Sequence, residues 1–169
     1  DWFLIEAGFP FGGSLKYNDV VRNVYDALFE LNVECDFVPV DAPAERLAKY
    51  EMIVAPALYA TPQETTDNLR EFVANGGHLV ATMRSFVTDD EVTVWHDRAP
   101  HNLTDVFGMS YNQFTRPKNV PVVFSGALEG TPDTEALSLI ELLKADEGTE
   151  VLASYGHYAW KDYAAITRH

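Results

Sequence analysis

The chain has 169 residues, 47% of them hydrophobic and 22% charged, with 12 Lys plus Arg against 26 Asp plus Glu for a formal net charge of -14 at pH 7. That length suits one domain burying roughly two thirds of the surface its unfolded form exposes, and the negative field repels phosphate backbones and anionic lipid, so neither a nucleic-acid nor a membrane partner is expected. The single Cys35 cannot form an internal disulfide, and no signal peptide or long apolar run is present, which fits a bacterial cytoplasmic protein; a secreted origin stays compatible, because an excised piece would have lost its leader.

Tyr17 to Leu31 places Val20, Val21, Val24, Tyr25, Leu28 and Leu31 at three- and four-residue spacings and leaves Arg22, Asn23, Asp26 and Glu30 wet, so it reads as an amphipathic helix. Val33 to Val40 (VECDFVPV) follows as a β-branched and aromatic run, a strand that Pro39 sets near a sheet edge. After a helical turn around Ala44 to Lys49, the apolar run Met52 to Ala55 does not alternate, as expected for a strand covered on both faces in a parallel sheet. Thr61-Pro62-Gln63-Glu64 has the form of a capping box, with Thr65, Leu69, Phe72 and Val73 on one face of the helix behind it and Gly76 as its left-handed stop. HLVATM then returns as a strand. A strand, helix and strand at this spacing make a right-handed parallel crossover, and the expected core is a flavodoxin-like three-layer α/β/α sandwich with a mainly parallel sheet.

Beyond Ser85 the pattern is less regular. Val92 to Trp95 reads as a short extended piece, Asn102 to Phe107 as a helix stopped by Gly108, and Val120 to Phe124 as a strand with Pro121 near its start. Ala136 to Lys144 fits helix or strand, and Glu150 to Ser154 and Ala164 to Arg168 read as paired strands joined by an aromatic loop. No repeat, low-complexity stretch or linker divides the chain, so a single domain over 1–169 is expected.

Arg84-Ser85 stands at the carboxyl end of a strand, where ligands and nucleophiles sit in open α/β sheets. Met83, Arg84, Phe86 and Val87 are the wrong surroundings for a nucleophile elbow, which carries glycines on both sides, and His78 begins the same strand at its far end. Of the five histidines (His78, His96, His101, His157, His169), His96 and His101 remain conceivable partners for that hydroxyl. Cys35 lies between Glu34 and Asp36, whose charges disfavour a thiolate. His96, Asp97 and His101 match no strong zinc spacing. Asp89, Asp90 and Glu91 sit together in one loop and cannot oppose one another across a glycosidic bond, so they read as a solvated turn. Gly12-Gly13-Ser14 lacks the Lys-Ser/Thr ending of a phosphate loop. No cofactor, metal or catalytic residue is assigned.

The run Y-x-x-I-V-A-P-A-L-Y (Tyr50 to Tyr59) followed by V-x-N-G-G-x-L-V-x-T-x-R-S (Val73 to Ser85), with LTDVFGMSYNQF and the tail EVLASYGHYAWKDYAAITRH, resembles the trimerisation domain of glycoside hydrolase family 42 β-galactosidases. The resemblance implies a class I glutamine amidotransferase-like fold and a homotrimer, with the catalytic glutamates in a barrel of the same parent chain; a barrel of about 250 residues cannot be hidden in this length. It also implies that Arg84 and Ser85 are a vestigial elbow. The family pattern puts a first strand before Trp2, of which DWFLIEAGFPFGG is at best a remnant, so the chain reads as a piece cut at both ends. The loop-borne aromatics Phe86, Trp95, Tyr111 and Phe114, with Phe107 equally suited to the core, are the candidate subunit interface. The rival readings are a stand-alone amidotransferase-like hydrolase using Ser85 or Cys35, or a small-ligand module at the strand-end crevice contacted by Arg84 and Asp89.

Overall fold

The computed structural model describes residues 1–7, 16–116 and 118–169, and its contacts divide the chain into two compact units, Asp1–Trp95 and His96–His169. Gly12-Gly13-Ser14 lies outside the described residues. The chain is mixed α/β.

In the first unit the elements run α1 (Trp2–Glu6), α2 (Tyr17–Glu30), α3 (Ala44–Leu47), β1 (Met52–Ala55), α4 (Gln63–Ala74) and β2 (His78–Ala81). β1 and β2 pair in parallel, from Met52 against His78 to Ala55 against Ala81, with α4 as the crossover that parallel strands require. Helix α4 buries Thr65, Thr66, Leu69 and Phe72. It ends in a Schellman motif: Gly76, at φ 96°, donates its N–H to the Val73 carbonyl, and Gly77 donates to the Phe72 carbonyl.

Three expectations are corrected here. Thr61 does not cap α4: the N-cap is Pro62, no side chain caps the helix, and the fully buried Thr61 hydroxyl donates to the Leu58 carbonyl instead. Its N–H is held by the Thr88 carbonyl, which fixes Thr61 in the loop rather than on the helix. The DWFLIE run is helix α1, tied to α2 by the Glu6 carboxylate, which accepts from the Tyr17 N–H at 3.0 Å and pairs with Lys16 at 3.5 Å. Residues 33–40 form no strand, because they have no ladder partner among the described residues.

In the second unit α5 (Thr104–Phe107) ends at Gly108 in the left-handed conformation, followed by β3 (Met109–Ser110), β4 (Phe114–Thr115), β5 (Pro121–Phe124), β6 (Thr134–Glu135), β7 (Ile140–Glu141), β8 (Lys144–Ala145), β9 (Glu150–Tyr155) and β10 (Ala164–Arg168). The main sheet has the order β10-β9-β5-β6, and β3–β8 and β4–β7 are separate pairs. All these ladders are antiparallel, so the expected mainly parallel sheet is confined among the named strands to β1 and β2. The physical reason is the connections: no described helix in this unit exceeds one turn, and parallel strands need a crossover of a dozen or more residues. In the ambiguous run Ala136 to Lys144 no helix forms: Ile140–Glu141 is strand β7, Lys144 begins β8, and Ala136 to Leu139 belong to no helix or strand. A core of Val120, Ile140, Leu142 and Tyr155 lies under Ala136, Trp160, Tyr163 and Ala165.

Candidate functional site

The two segments leaving the carboxyl ends of β1 and β2 meet around Ser85. Arg84 and Phe86 take left-handed backbone conformations, φ 60° and 61°, and so does Ala57 opposite them at φ 48°. Such conformations cost about 1–2 kcal/mol each in residues with a Cβ and persist only where the surroundings fix them. Here the fixing contacts are explicit. The Thr82 hydroxyl accepts from the Ala57 N–H at 2.8 Å, the Phe86 N–H donates to the Leu58 carbonyl at 2.7 Å, and the Val87 N–H donates to the Tyr59 carbonyl at 3.1 Å.

The Ser85 hydroxyl belongs to the same stitching. It donates to the Ala55 carbonyl at 3.1 Å, accepts from the Leu58 N–H at 3.1 Å, and is 2% exposed. Its proton is directed to a backbone carbonyl rather than to a general base, which is the opposite of what an activated nucleophile needs. Arg84 is buried; its guanidinium carbon lies 5.0 Å from the Tyr59 ring centroid, and one terminal nitrogen donates to the Tyr59 hydroxyl at 3.3 Å. Asp1 closes the group, its Oδ1 accepting from the N–H groups of Tyr59 and Ala60 at 3.0 and 2.9 Å. The sequence offered no sign of the parts played by Asp1, Tyr59 and Thr82: Asp1 is 58 residues from one of its partners, beyond the reach of any local motif.

The remaining candidates fall elsewhere. Asp89 Oδ1 accepts from the Glu91 and Thr93 N–H groups at 3.0 and 2.7 Å, the local turn expected of this acidic loop. His78 is exposed at the start of β2. In the second unit, buried His101 sits 2.8 Å from Asp97 through Nδ1. Partial burial pushes the Asp97 carboxyl up, but the hydrogen bonds and charge from His101 and the Asn102 N–H outweigh it and leave the pKa below its ordinary value. Among the described residues no group of three His, Cys, Asp or Glu could hold a metal ion, and no helix is long and apolar enough to cross a membrane. Cys35 is exposed on the segment 33–40. Of the proposed interface aromatics, Phe86 has no exposed surface and Tyr111 only 6%, whereas Trp95 and Phe114 are half-buried. A cavity of about 770 Å³ runs beside β1, between α2 and residues 33–40.

Residues 1–169 match the family described as the β-galactosidase trimerisation domain. The chain is 30% identical over 169 residues to β-galactosidase BgaB of Geobacillus sp. (strain Y412MC61), covering 99% of this chain and 24% of that protein. Among solved structures it is similar to the β-galactosidase of Bacillus circulans sp. alkalophilus, with 26% identity, a TM-score of 0.80 and coverage of 92% of this chain and 23% of that one. It is likewise similar to that of Rahnella sp. R3, with 25% identity, a TM-score of 0.82 and coverage of 90% and 23%. The chain thus spans about a quarter of the length of these relatives. With the match running from the first residue to the last, this chain belongs to the β-galactosidase trimerisation domain family.

Proposed function

We propose that this chain holds three copies of a parent β-galactosidase together and carries out no chemistry of its own. On this reading the parent hydrolyses terminal β-galactosides in the bacterial cytoplasm with glutamates on a barrel outside these residues. The first unit, in turn, is the retained part of a flavodoxin-like, class I amidotransferase-like sandwich. The observation that carries the proposal is the family match across all 169 residues. The bonding of Ser85 supports it, because a hydroxyl engaged to backbone on both its donor and acceptor sides serves the turn and not a substrate.

A closed ring of three needs a heterologous interface, in which two different patches on each copy are complementary. Trp95 and Phe114 retain aromatic surface that such a patch can use, and large aromatics carry much of the binding energy at interfaces. Phe86 and Tyr111 have their rings inside the chain and support packing instead. The test is light scattering of the parent enzyme beside a variant carrying Trp95→Ala and Phe114→Ala. A parent of three subunits and a variant shifted toward monomer are expected; a monomeric parent at micromolar concentration would overturn the assembly role.

A further inference from the structure

Asn75 is the C-cap of α4 and is followed by Gly76, whereas every other asparagine of the sequence is followed by Asp, Val, Leu or Gln. We propose that Asn75 is the site at which this chain deamidates, by attack of the Gly76 nitrogen on its side-chain amide, and that the turn ending α4 holds the reaction back. In the step a bond forms between the Gly76 backbone nitrogen and Cγ of Asn75. The Cγ–Nδ2 bond breaks, and the proton of the Gly76 N–H leaves with Nδ2 as ammonia. The resulting succinimide ring is opened by water at either of its carbonyls, giving aspartate or isoaspartate, so no oxidant, reductant or cofactor takes part. Attack depends on access to that backbone nitrogen, and glycine leaves it unscreened because it has no Cβ. A following side chain, above all a β-branched one, crowds the same approach. Asn75 and Gly76 are both exposed, so water and hydroxide reach the pair.

The turn holds Asn75 in the wrong geometry for ring closure, at φ -87° and ψ 7°. Closure brings Cβ of Asn75 and the Gly76 nitrogen to the same side of the Cα–C bond, whereas at this ψ they stand about a third of a turn apart. The nitrogen is also engaged. Its N–H donates to the Val73 carbonyl at 2.9 Å, between the Asn75 N–H on the Glu71 carbonyl and the Gly77 N–H on the Phe72 carbonyl, each at 3.0 Å. Gly77 in turn lies against the buried Phe72 ring with no room for a Cβ, which pins the turn from below. Reaction therefore waits on a local opening of the last turn of α4, and helix ends are where such opening is easiest. The product works against reclosure. Isoaspartate adds one carbon to the backbone path between α4 and β2, and so disturbs the spacing that sets His78 opposite Met52 in the parallel pair. Either product puts a carboxylate at the C-terminal end of α4, where the helix dipole disfavours it.

The test is peptide mapping by mass spectrometry of the parent polypeptide aged in mildly alkaline buffer, native and denatured in urea, with isoaspartate separated from aspartate by chromatography. Isoaspartate is expected at Asn75 before any other asparagine of these residues, at least about tenfold more slowly in the native than in the denatured parent. Gly77→Ala keeps the Asn75-Gly76 pair but crowds Phe72, so it should speed conversion severalfold in the native parent and leave the denatured rate unchanged. Gly76→Ala should slow conversion in both states. Should Gly77→Ala unfold the unit, urea below the unfolding transition of the native parent gives the same comparison. Equal rates in native and denatured parent overturn the hold exerted by the turn. Isoaspartate appearing first at another asparagine, or none appearing at Asn75 in the native parent, overturns the site.

Discussion

Ser85 shows how a hydroxyl at a strand mouth can be needed without being reactive. It links the end of β1, through the Ala55 carbonyl, to the following turn, through the Leu58 N–H. Ser85→Ala leaves that N–H buried and unbonded, so the parent should lose about 1–3 kcal/mol of stability, read by urea denaturation. On the proposed function, the parent's turnover of a β-galactoside should stay within about twofold, a barrier change under 0.5 kcal/mol; a loss of several decades would make the serine catalytic. In the second unit Tyr155 donates to the Glu141 carbonyl at 2.8 Å. Burial first, and the Glu141 charge second, push its phenol up to about 12, against the lowering effect of that backbone bond. A phenol whose folded pKa exceeds its unfolded one adds stability that is whole below about pH 10 and is lost as pH rises toward 12. Tyr155→Phe should cost about 1 kcal/mol at pH 8 for the lost hydrogen bond. The variant's disadvantage should shrink between pH 10 and 12, and a gap constant across that window would show that the phenol does not titrate as described.

At the scale of elements, the α4–β2 connection is where local chemistry and packing agree best. A Cβ at Gly77 would fall on the Phe72 ring, which is itself buried under α4. Gly77→Ala should therefore cost about 1–3 kcal/mol by overpacking. Gly76→Ala meets open space and bears only the backbone strain of φ 96°, about 1 kcal/mol. Thermal denaturation of both variants checks the order; a larger loss at Gly76 would mean that Phe72 swings aside at little cost. This connection was readable in the sequence because helix periodicity, the glycine stop and the apolar return strand are all local signals. The same holds for β9 and β10, which read as paired strands on either side of an aromatic loop. Thr61 was misread because a capping box is only a pattern, and here a long-range bond to Thr88 took the residue out of reach of the helix end. Val33 to Val40 was misread for another reason. Composition reports the wish of a segment to be a strand, while a ladder needs a neighbour, and that neighbour is not among the described residues. The Arg84–Tyr59–Asp1 group was half legible: Arg84 and Ser85 stood out by position, but Asp1 could be found only in three dimensions.

Across the whole molecule the dominant long-range quantity is charge. On the proposed assembly each copy brings a formal -14 from these residues, and three together set like fields against one another. The pairs Lys16–Glu6, His101–Asp97 and Arg168–Glu150 lie within the chain, and exposed pairs contribute about 0–1 kcal/mol each. On that assembly, with Trp95 and Phe114 at the contact, attraction comes from apolar and aromatic surface, which salt does not weaken, opposed by a repulsion that salt does. At about 0.01 M ionic strength the screening length is about 30 Å, comparable to a domain, and at 0.15 M it falls to about 8 Å. Subunit association of the parent should therefore tighten with salt, by roughly tenfold in dissociation constant over that range, as read by sedimentation velocity at submicromolar concentration. Dissociation on adding salt would place ion pairs at the subunit contact and move the search for it from Trp95 and Phe114 to the exposed carboxylates.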